Sequence, residues 1–273
     1  MSTPVRTAHP VARVLTALFA AAGLVAGVGA LPASAAPPQP SWYYALGDSY
    51  AAGVGGDEPV LDGTDCGRTY DSYPALLGAK KNISCGSATT EDVLKQAKTI
   101  PPNTGLISVT VGGNDVGAIQ TTTACLNGSP MCGQMIADST LAAASVLPGK
   151  LDGVIAAIRA RTPNAQIVMT GYPHLFEAQN LAGDPTLQQL AVALNYGADV
   201  LNQSIEAAAA RNGVPFVSVT GAFTGHAWPS ADPWIHSPLD PGVGLHPNDA
   251  GYLLGYAPLV GAALGLPVPA PAG

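Results

Sequence analysis

Five short apolar segments alternate with helical stretches, and this alternation constrains the fold more than any other feature. The clearest segment, Leu106 to Val111, is rich in β-branched residues and ends at Gly112-Gly113, which indicates a buried strand. The other four are Trp42 to Leu46, Asn82 to Cys85, Gln166 to Thr170 and Pro215 to Val219. Strands separated by helices require crossover connections, which favour a parallel sheet covered on both faces. The predicted fold is therefore α/β, a three-layer α/β/α sandwich with a five-stranded, mainly parallel sheet.

The stretches between these segments predict the helices and loops. Leucine and isoleucine at helical spacing predict a long helix, and Pro148 implies a kink or a break within it. The segment with two nearby cysteines is predicted to be a disulfide loop. The predicted helices are Ser72 to Lys80, one that begins at Thr90, Asp138 to Arg161, Pro185 to Asn212 and Pro247 to Leu264, and the predicted loops include Thr121 to Gly133 and Thr220 to Leu245.

The N-terminal segment has the pattern of a secretory signal peptide. Arg6 and Arg13 precede an apolar run from Val14 to Ala30, and Ala33-Ser34-Ala35 follows as a small-residue cleavage site. That cleavage site disfavours a membrane anchor. The sequence therefore predicts a signal peptide over residues 1–35, a single domain over residues 36–273, and secretion of the mature protein.

Charge and hydropathy limit the partners of the mature protein. Without Arg6 and Arg13, nine basic residues remain against 18 acidic residues, and no basic run remains. This balance argues against nucleic acid or an anionic membrane as the main partner. The mature chain has no second long apolar run, so we expect no stable membrane insertion, and we expect a monomer.

The four cysteines predict two disulfides. An even number of cysteines in an exported protein is typical of disulfide pairing, and three pairings are possible. Proximity in sequence favours Cys66 with Cys85 and Cys125 with Cys132. A metal site is the alternative, but no C-x₂-C spacing supports it.

Polar residues follow the predicted strands at the positions where parallel α/β sheets bind ligands. Ser49 follows the first strand, Gly86 the second and Gly113-Asn114-Asp115 the third, while His246 begins the last helix. Ligands in such sheets bind beyond the carboxyl ends of the strands. Each residue alone has a structural explanation, because serine and asparagine cap helices and glycine ends strands. Their joint occurrence favours a catalytic site.

These residues lie in four blocks that resemble the conserved blocks of the SGNH hydrolases, also called the GDSL esterase/lipase family. The resemblance covers nearly the whole mature chain and implies an SGNH, flavodoxin-like fold. The four blocks, in family order, are Gly47-Asp48-Ser49-Tyr50, Cys85-Gly86-Ser87-Ala88-Thr89-Thr90, Gly112-Gly113-Asn114-Asp115 and His246-Pro247-Asn248.

The resemblance implies hydrolysis of a lipid or other small-molecule ester. Ser49 would attack the ester carbonyl, and His246 would act as general base and then as general acid. The oxyanion hole would consist of the backbone N–H groups of Ser49 and Gly86 and the side chain of Asn114. No metal and no organic cofactor enters this mechanism.

One position departs from the family pattern. The family often has an aspartate three residues before the histidine, where this chain has Val243. The main-chain carbonyl of Val243, or one near it, is therefore the favoured group to orient His246, and the carboxylate of Asp240 is the alternative. This implies a serine–histidine dyad, because orientation requires only an acceptor that sets the imidazole tautomer.

Other candidate residues have weaker interpretations. Asp48 and Asp115 are expected to be structural. Trp228, Trp234 and Tyr50 either line an acyl pocket or pack the long loop. A three-histidine metal site is disfavoured, because it would leave Ser49 and Asn114 without a role; its ligands would be His226, His236 and His246.

Three further functions are alternatives to a simple esterase or lipase. Two of them, removal of acetyl groups from polysaccharide and cleavage of phospholipid, would use the same catalytic residues. The third is a non-catalytic secreted binding protein, since a fold does not determine function. The missing aspartate at position 243 is the only feature in favour of the binding protein.

Overall fold

A computed structural model describes residues 42–268, and the predicted signal peptide and its cleavage site lie outside the described residues. Five parallel strands form one sheet in the order β2-β1-β3-β4-β5. This order is that of flavodoxin-like sheets, and it reverses direction at β1. The strands are β1 (Tyr43–Gly47), β2 (Lys81–Asn82), β3 (Leu106–Thr110), β4 (Gln166–Thr170) and β5 (Phe216–Val217). The predicted α/β fold with a five-stranded parallel sheet is confirmed.

Eight α-helices connect and cover the strands in the described part of the chain. They are α1 (Ser49–Ala52), α2 (Tyr73–Leu76), α3 (Thr90–Lys98), α4 (Ala118–Leu126), α5 (Cys132–Ser145), α6 (Leu147–Arg161), α7 (Pro185–Arg211) and α8 (Ala257–Leu264). Helix α6 packs against α3 and α7, and α2 packs against α8. With the usual right-handed crossovers, the first group covers one face of the sheet and the second group covers the other. A 3₁₀ turn, Ala178–Leu181, precedes α7, and a π-helical turn, Gly251–Tyr256, precedes α8.

The core lies between the sheet and its helix layers. Ile107 and Val109 of the central strand β3 are fully buried. The long helix α6 contributes a stripe at helical spacing to the same hydrophobic cluster. This stripe consists of Leu147, Leu151, Val154, Ile155 and Ile158, all at most 1% exposed.

The two edge strands are shorter than predicted. Strand β2 ends at Asn82, because the Asn82 side chain accepts the Ser84 N–H (3.1 Å) and turns the chain. Irregular pairing with β1 continues to Cys85, whose N–H donates to the Gly47 carbonyl (3.0 Å). Strand β5 likewise has only one neighbour and spans Phe216–Val217.

The prediction of a disulfide loop over Thr121 to Gly133 is wrong. Helix α4 runs to Leu126 and α5 begins at Cys132, so only five residues connect the two helices. Burial of Thr121 and Thr122 on α4 outweighs the low helix propensity of β-branched residues.

The break predicted at Pro148 is present. Helices α5 and α6 meet at Val146 with a bend of 46°, and Pro148 lies in the first turn of α6. Within residues 42–268 no single helix is long and apolar enough to cross a membrane, and this bent pair alone meets that test when both halves are counted.

The final helix differs from the prediction in its first half. A π-helical turn replaces regular α-helix over Gly251–Tyr256. Gly255 lies against the Phe223 ring, which would be 2.3 Å from a Cβ atom at this position. The turn also buries Tyr252 and Tyr256 completely, and their hydroxyls donate to the Val54 and Gly171 carbonyls.

Two disulfides connect the pairs that sequence proximity favours. Cys66 is bonded to Cys85 (S–S 2.01 Å) and Cys125 to Cys132 (2.07 Å). The first holds the loop after α1 against the end of β2, and the second connects α4 to α5.

Candidate active site

The site lies where the strand order reverses, between the carboxyl ends of β1 and β3. Strand β1 ends at Gly47, which has φ +137°, and a Cβ there would lie 2.2 Å from the Thr110 carbonyl oxygen. Only glycine fits this position. Asp48 then caps α1 by accepting the Tyr50 N–H (3.0 Å), so Ser49 becomes the first residue of that helix. The sharp turn presents Ser49 at the switch point of the sheet.

His246 contacts Ser49 directly. The distance from its Nε2 to Ser49 Oγ is 2.9 Å, and its Nδ1 lies 3.2 Å from the Val243 carbonyl oxygen and 3.1 Å from that of Gly244. Because carbonyls only accept hydrogen bonds, Nδ1 carries the proton and Nε2 accepts from the serine hydroxyl. Burial lowers the pKa of His246, so the ring is neutral near pH 7 and can accept a proton.

Main-chain carbonyls lie beside His246 Nδ1, whereas the Asp240 carboxylate lies beside His236. The Asp240 carboxylate is 3.4 Å from Nδ1 of His236, and His236 Nε2 hydrogen-bonds to the Gly55 carbonyl (2.8 Å). Leu245, immediately before His246, accepts a hydrogen bond from the Tyr50 hydroxyl (2.7 Å). This bond connects the histidine loop to the serine helix.

The three predicted oxyanion donors differ in their surroundings. The Ser49 N–H has no protein acceptor within residues 42–268. Asn114 donates one Nδ2 hydrogen to the Ala88 carbonyl (3.0 Å), which leaves the other for a ligand. Gly86 is the exception, because its N–H already donates to the Cys66 carbonyl (2.8 Å). The expectation for Gly86 therefore conflicts with the geometry.

A buried network at the base of the site was not anticipated from the sequence. The Tyr172 hydroxyl donates to Asp48 Oδ2 (2.5 Å) and accepts the Gly113 N–H (3.1 Å). It therefore connects the loop that precedes Ser49 to the loop that carries Asn114. Burial raises the pKa of Asp48 to about 7, although the Tyr172 hydrogen bond opposes that shift. Tyr172 follows β4, and this strand-end position is the signal that points to it.

An apolar cleft opens from Ser49 between α4, α5 and α7. Its cavity volume is about 70 Å³, and Ser49, Asn114 and Tyr50 are among the residues that line it. The residues along its walls are mainly aliphatic, with several threonines. They include Ile119, Thr122, Ile136, Leu175, Leu194 and Leu201.

The two tryptophans proposed for the pocket pack the long loop instead. Trp228 packs edge-on against Phe176, and Trp234 stacks on His226 with ring centroids 3.8 Å apart. Trp234 is also packed against Phe223. Neither tryptophan lines the cleft beside Ser49.

Asp115 caps α3 by accepting from Thr90 N–H (2.8 Å) and also binds Lys150 (3.0 Å). Its contacts are therefore structural, as expected. Within residues 42–268 no group of three or more histidine, cysteine, aspartate or glutamate side chains is arranged to hold a metal ion.

The chain is similar to a family of lipases and acylhydrolases and to individual bacterial enzymes of this kind. A family model described as GDSL-like Lipase/Acylhydrolase matches residues 45–254. Lipase 1 of Streptomyces coelicolor is 37% identical over 259 residues, which cover 91% of this chain and 96% of the relative. Two crystal structures, an extracellular lipase from Streptomyces rimosus and a phospholipase A1 from Streptomyces albidoflavus, each give a TM-score of 0.76 at 35% identity. Each comparison covers 82% of this chain and 99% of the other.

The matched region contains the sheet except Tyr43 and Tyr44, and it contains all four sequence blocks. Agreement at this identity over this much of the chain shows that the protein belongs to the GDSL-like lipase and acylhydrolase family and is a serine ester hydrolase.

Proposed function

We propose that the enzyme cleaves carboxylic esters with an apolar acyl chain through a covalent acyl-enzyme on Ser49. The observation that carries this proposal is the 2.9 Å contact between Ser49 Oγ and His246 Nε2, together with the apolar cleft that Ser49 lines. A serine hydroxyl needs such a base, because it is a weak nucleophile by itself. The cleft supplies apolar walls for an acyl chain.

The reaction proceeds by acylation of Ser49 and then deacylation, and His246 takes up and returns one proton in each step. Ser49 Oγ bonds to the ester carbonyl carbon while its proton moves to His246 Nε2, and the carbonyl oxygen becomes the oxyanion. Collapse of this intermediate breaks the carbon–alkoxide bond, and the imidazolium protonates the departing alcohol. Water then attacks the acyl-enzyme carbonyl carbon while its proton moves to His246 Nε2. Collapse of this second intermediate breaks the bond to Ser49 Oγ, which takes the proton back, and the fatty acid is released. The carbonyls of Val243 and Gly244 stabilise the imidazolium that forms in each half.

Phospholipid is a second candidate substrate. The supporting observation is the 35% identity and TM-score of 0.76 to a phospholipase A1. A phospholipid also presents a carboxylic ester next to a long acyl chain, so the same cleft would accept it. Comparison of phosphatidylcholine vesicles with triacylglycerol emulsions separates the two substrates.

A p-nitrophenyl ester series from acetate to palmitate tests both the nucleophile and the cleft. Ser49→Ala and His246→Ala should each abolish turnover on every ester. Gly197 lines the cleft, and the nearest atom to a Cβ there is Thr140 Oγ1 at 3.8 Å, so a larger side chain would extend into the cleft. Gly197→Phe should therefore lower kcat/KM for palmitate at least tenfold and leave acetate within about twofold.

Gly153→Phe is the matched control, because Gly153 lies on an exposed face of α6 with no atom within 4 Å of its added Cβ. Full turnover in Ser49→Ala would refute the proposed mechanism. Equal losses on acetate and palmitate in Gly197→Phe would refute the acyl cleft.

We also propose that the mature enzyme is a secreted monomer of residues 36–273, formed by cleavage after Ala35. The sequence pattern of the first 35 residues and the similarity to an extracellular lipase support this. It would act on small-molecule or lipid esters without stable membrane insertion and without binding nucleic acid. N-terminal sequencing of protein from culture medium, with light scattering, tests the cleavage position and the oligomeric state.

A further inference from the structure

The turn after β2 contains an unusual backbone conformation next to the active site. Ser87 has φ +62°, and Leu245, immediately before His246, has φ +69°. They are the only residues other than glycine with positive φ in the described range 42–268. Left-handed conformations cost energy for residues with a Cβ and concentrate at functional sites. Leu245 adjoins His246, so the second such conformation, at Ser87, makes the turn after β2 a candidate functional element.

The Gly86 N–H is already used within the protein. It donates to the Cys66 carbonyl at 2.8 Å, and Cys66 is held in place by its disulfide to Cys85. A Cβ on Gly86 would lie 3.3 Å from the same carbonyl oxygen, so the missing side chain is explained by this close approach. Gly86 therefore fastens the turn to the disulfide loop.

The Ser87 N–H has no such partner. The Ala88 N–H closes the turn by donating to the Cys85 carbonyl (3.1 Å), which leaves the amide of Ser87 at the centre of the turn. No protein acceptor binds this amide among residues 42–268, and Ser87 is exposed. The amide is thus available to a ligand.

The same turn is attached to the cleft. The carbonyl of Ala88 accepts a hydrogen bond from Asn114 Nδ2 (3.0 Å), and Asn114 lines the cleft together with Ser49. The peptide group of Ser87 therefore lies directly before the residue that fixes the Asn114 side chain.

We propose that the main-chain N–H of Ser87, and not that of Gly86, is the second backbone donor of the oxyanion hole. It acts with the Ser49 N–H and Asn114 Nδ2 on the oxygen that becomes negative when Ser49 adds to the ester. This inference rests on the proposed function, because it requires an oxyanion formed by attack of Ser49. Backbone donors aimed at a developing oxyanion stabilise it without reorganisation.

Replacing single backbone amides with esters tests this assignment. Incorporation of lactic acid at position 87 removes the N–H, and the Ser87→Ala enzyme, which retains the N–H, is the reference. We expect kcat to fall roughly 10²- to 10³-fold relative to Ser87→Ala, with KM little changed, as for loss of other oxyanion donors. Glycolic acid at position 86 is the matched control, and it should lower Tm while kcat stays within a few-fold of wild type.

Ser87→Gly provides an independent measurement that does not depend on the ester chemistry. It removes the strain that a residue with a Cβ has in the left-handed conformation, so Tm should rise. The assignment is wrong if the position 86 ester loses kcat as strongly as the position 87 ester in folded protein, or if the position 87 ester keeps full kcat. If wild-type turnover survives Ser49→Ala, the proposed function fails instead, so the two failures are distinguishable.

Discussion

Removal of the Tyr172 hydroxyl should destabilise the protein in a pH-dependent way. Tyr172→Phe leaves the Gly113 N–H without an acceptor, at a cost of about 2 kcal/mol, and removes one hydrogen bond to the Asp48 carboxyl group. That bond is worth about 2 kcal/mol to an ionised carboxylate and about 1 kcal/mol to a neutral one. We therefore expect a loss of roughly 4 kcal/mol near pH 9 and roughly 3 kcal/mol near pH 5.5.

The direction of this difference follows from the pKa of Asp48. Its value of about 7 in the folded state is above the ordinary value near 3.9, so the wild-type unfolding free energy decreases as pH rises from about 4 to 7. The Tyr172 hydrogen bond lowers this pKa, so its removal extends the decrease to higher pH. Urea unfolding of wild type and Tyr172→Phe between about pH 5.5 and pH 9 measures this difference in unfolding free energy.

Tyr256→Phe is the matched control for this experiment. Tyr256 is also fully buried, but its hydroxyl donates only to the Gly171 carbonyl (3.0 Å). Its removal should cost about 1–2 kcal/mol at both pH values, because no carboxylate accepts the bond. A pH-independent loss in Tyr172→Phe, or the same pH dependence in both variants, would refute the reasoning about Asp48.

Two further predictions concern catalysis and stability. Because burial lowers the pKa of His246 and the reaction requires the neutral ring, kcat/KM should decline in acid with an apparent pKa below about 6.5, and a limb above that value would contradict the assigned environment. Replacing both cysteines of the Cys66–Cys85 pair by serine should cost about 3 kcal/mol, against about 2 kcal/mol for the Cys125–Cys132 pair, because the bonded cysteines are 19 and 7 residues apart. Urea unfolding measures both losses, and the reverse ranking would show that loop entropy does not dominate.

The parts of the fold that follow local patterns were predictable from the sequence. The central strand and the break at Pro148 have strong local signals, and the structure agrees with both. Helix α4 was missed, because the packing of Thr121 and Thr122 against the interior decides its conformation. The π-helical turn was also missed, since it depends on contacts between Gly255 and the distant Phe223 ring.

In the candidate site, the positions of the catalytic side chains were easier to predict than the contacts that surround them. Ser49 and Asn114 follow neighbouring strands of a parallel sheet, so their proximity could be expected from the sequence. Val243 could be named in advance because the aspartate of the family pattern is missing at that position, and its carbonyl oxygen lies 3.2 Å from His246 Nδ1. The donor proposed at Ser87 is a main-chain N–H, so the identity of the residue gives no signal for it in the sequence. Tyr172 bridges two loops by its hydrogen bonds to Asp48, 124 residues away in the sequence, and to Gly113, 59 residues away. Patterns in a single sequence carry no information over such separations.

The central claim is that Ser49, activated by His246, forms the covalent acyl-enzyme. Reaction with a p-nitrophenyl alkylphosphonate, followed by peptide mass mapping, tests it most directly because the phosphonate remains on the attacking residue. We predict one adduct on Ser49 that appears in parallel with loss of activity, no adduct in Ser49→Ala, and labelling at least about 100-fold slower in His246→Gln. An adduct on a different residue, or labelling of Ser49→Ala at the wild-type rate, would contradict it.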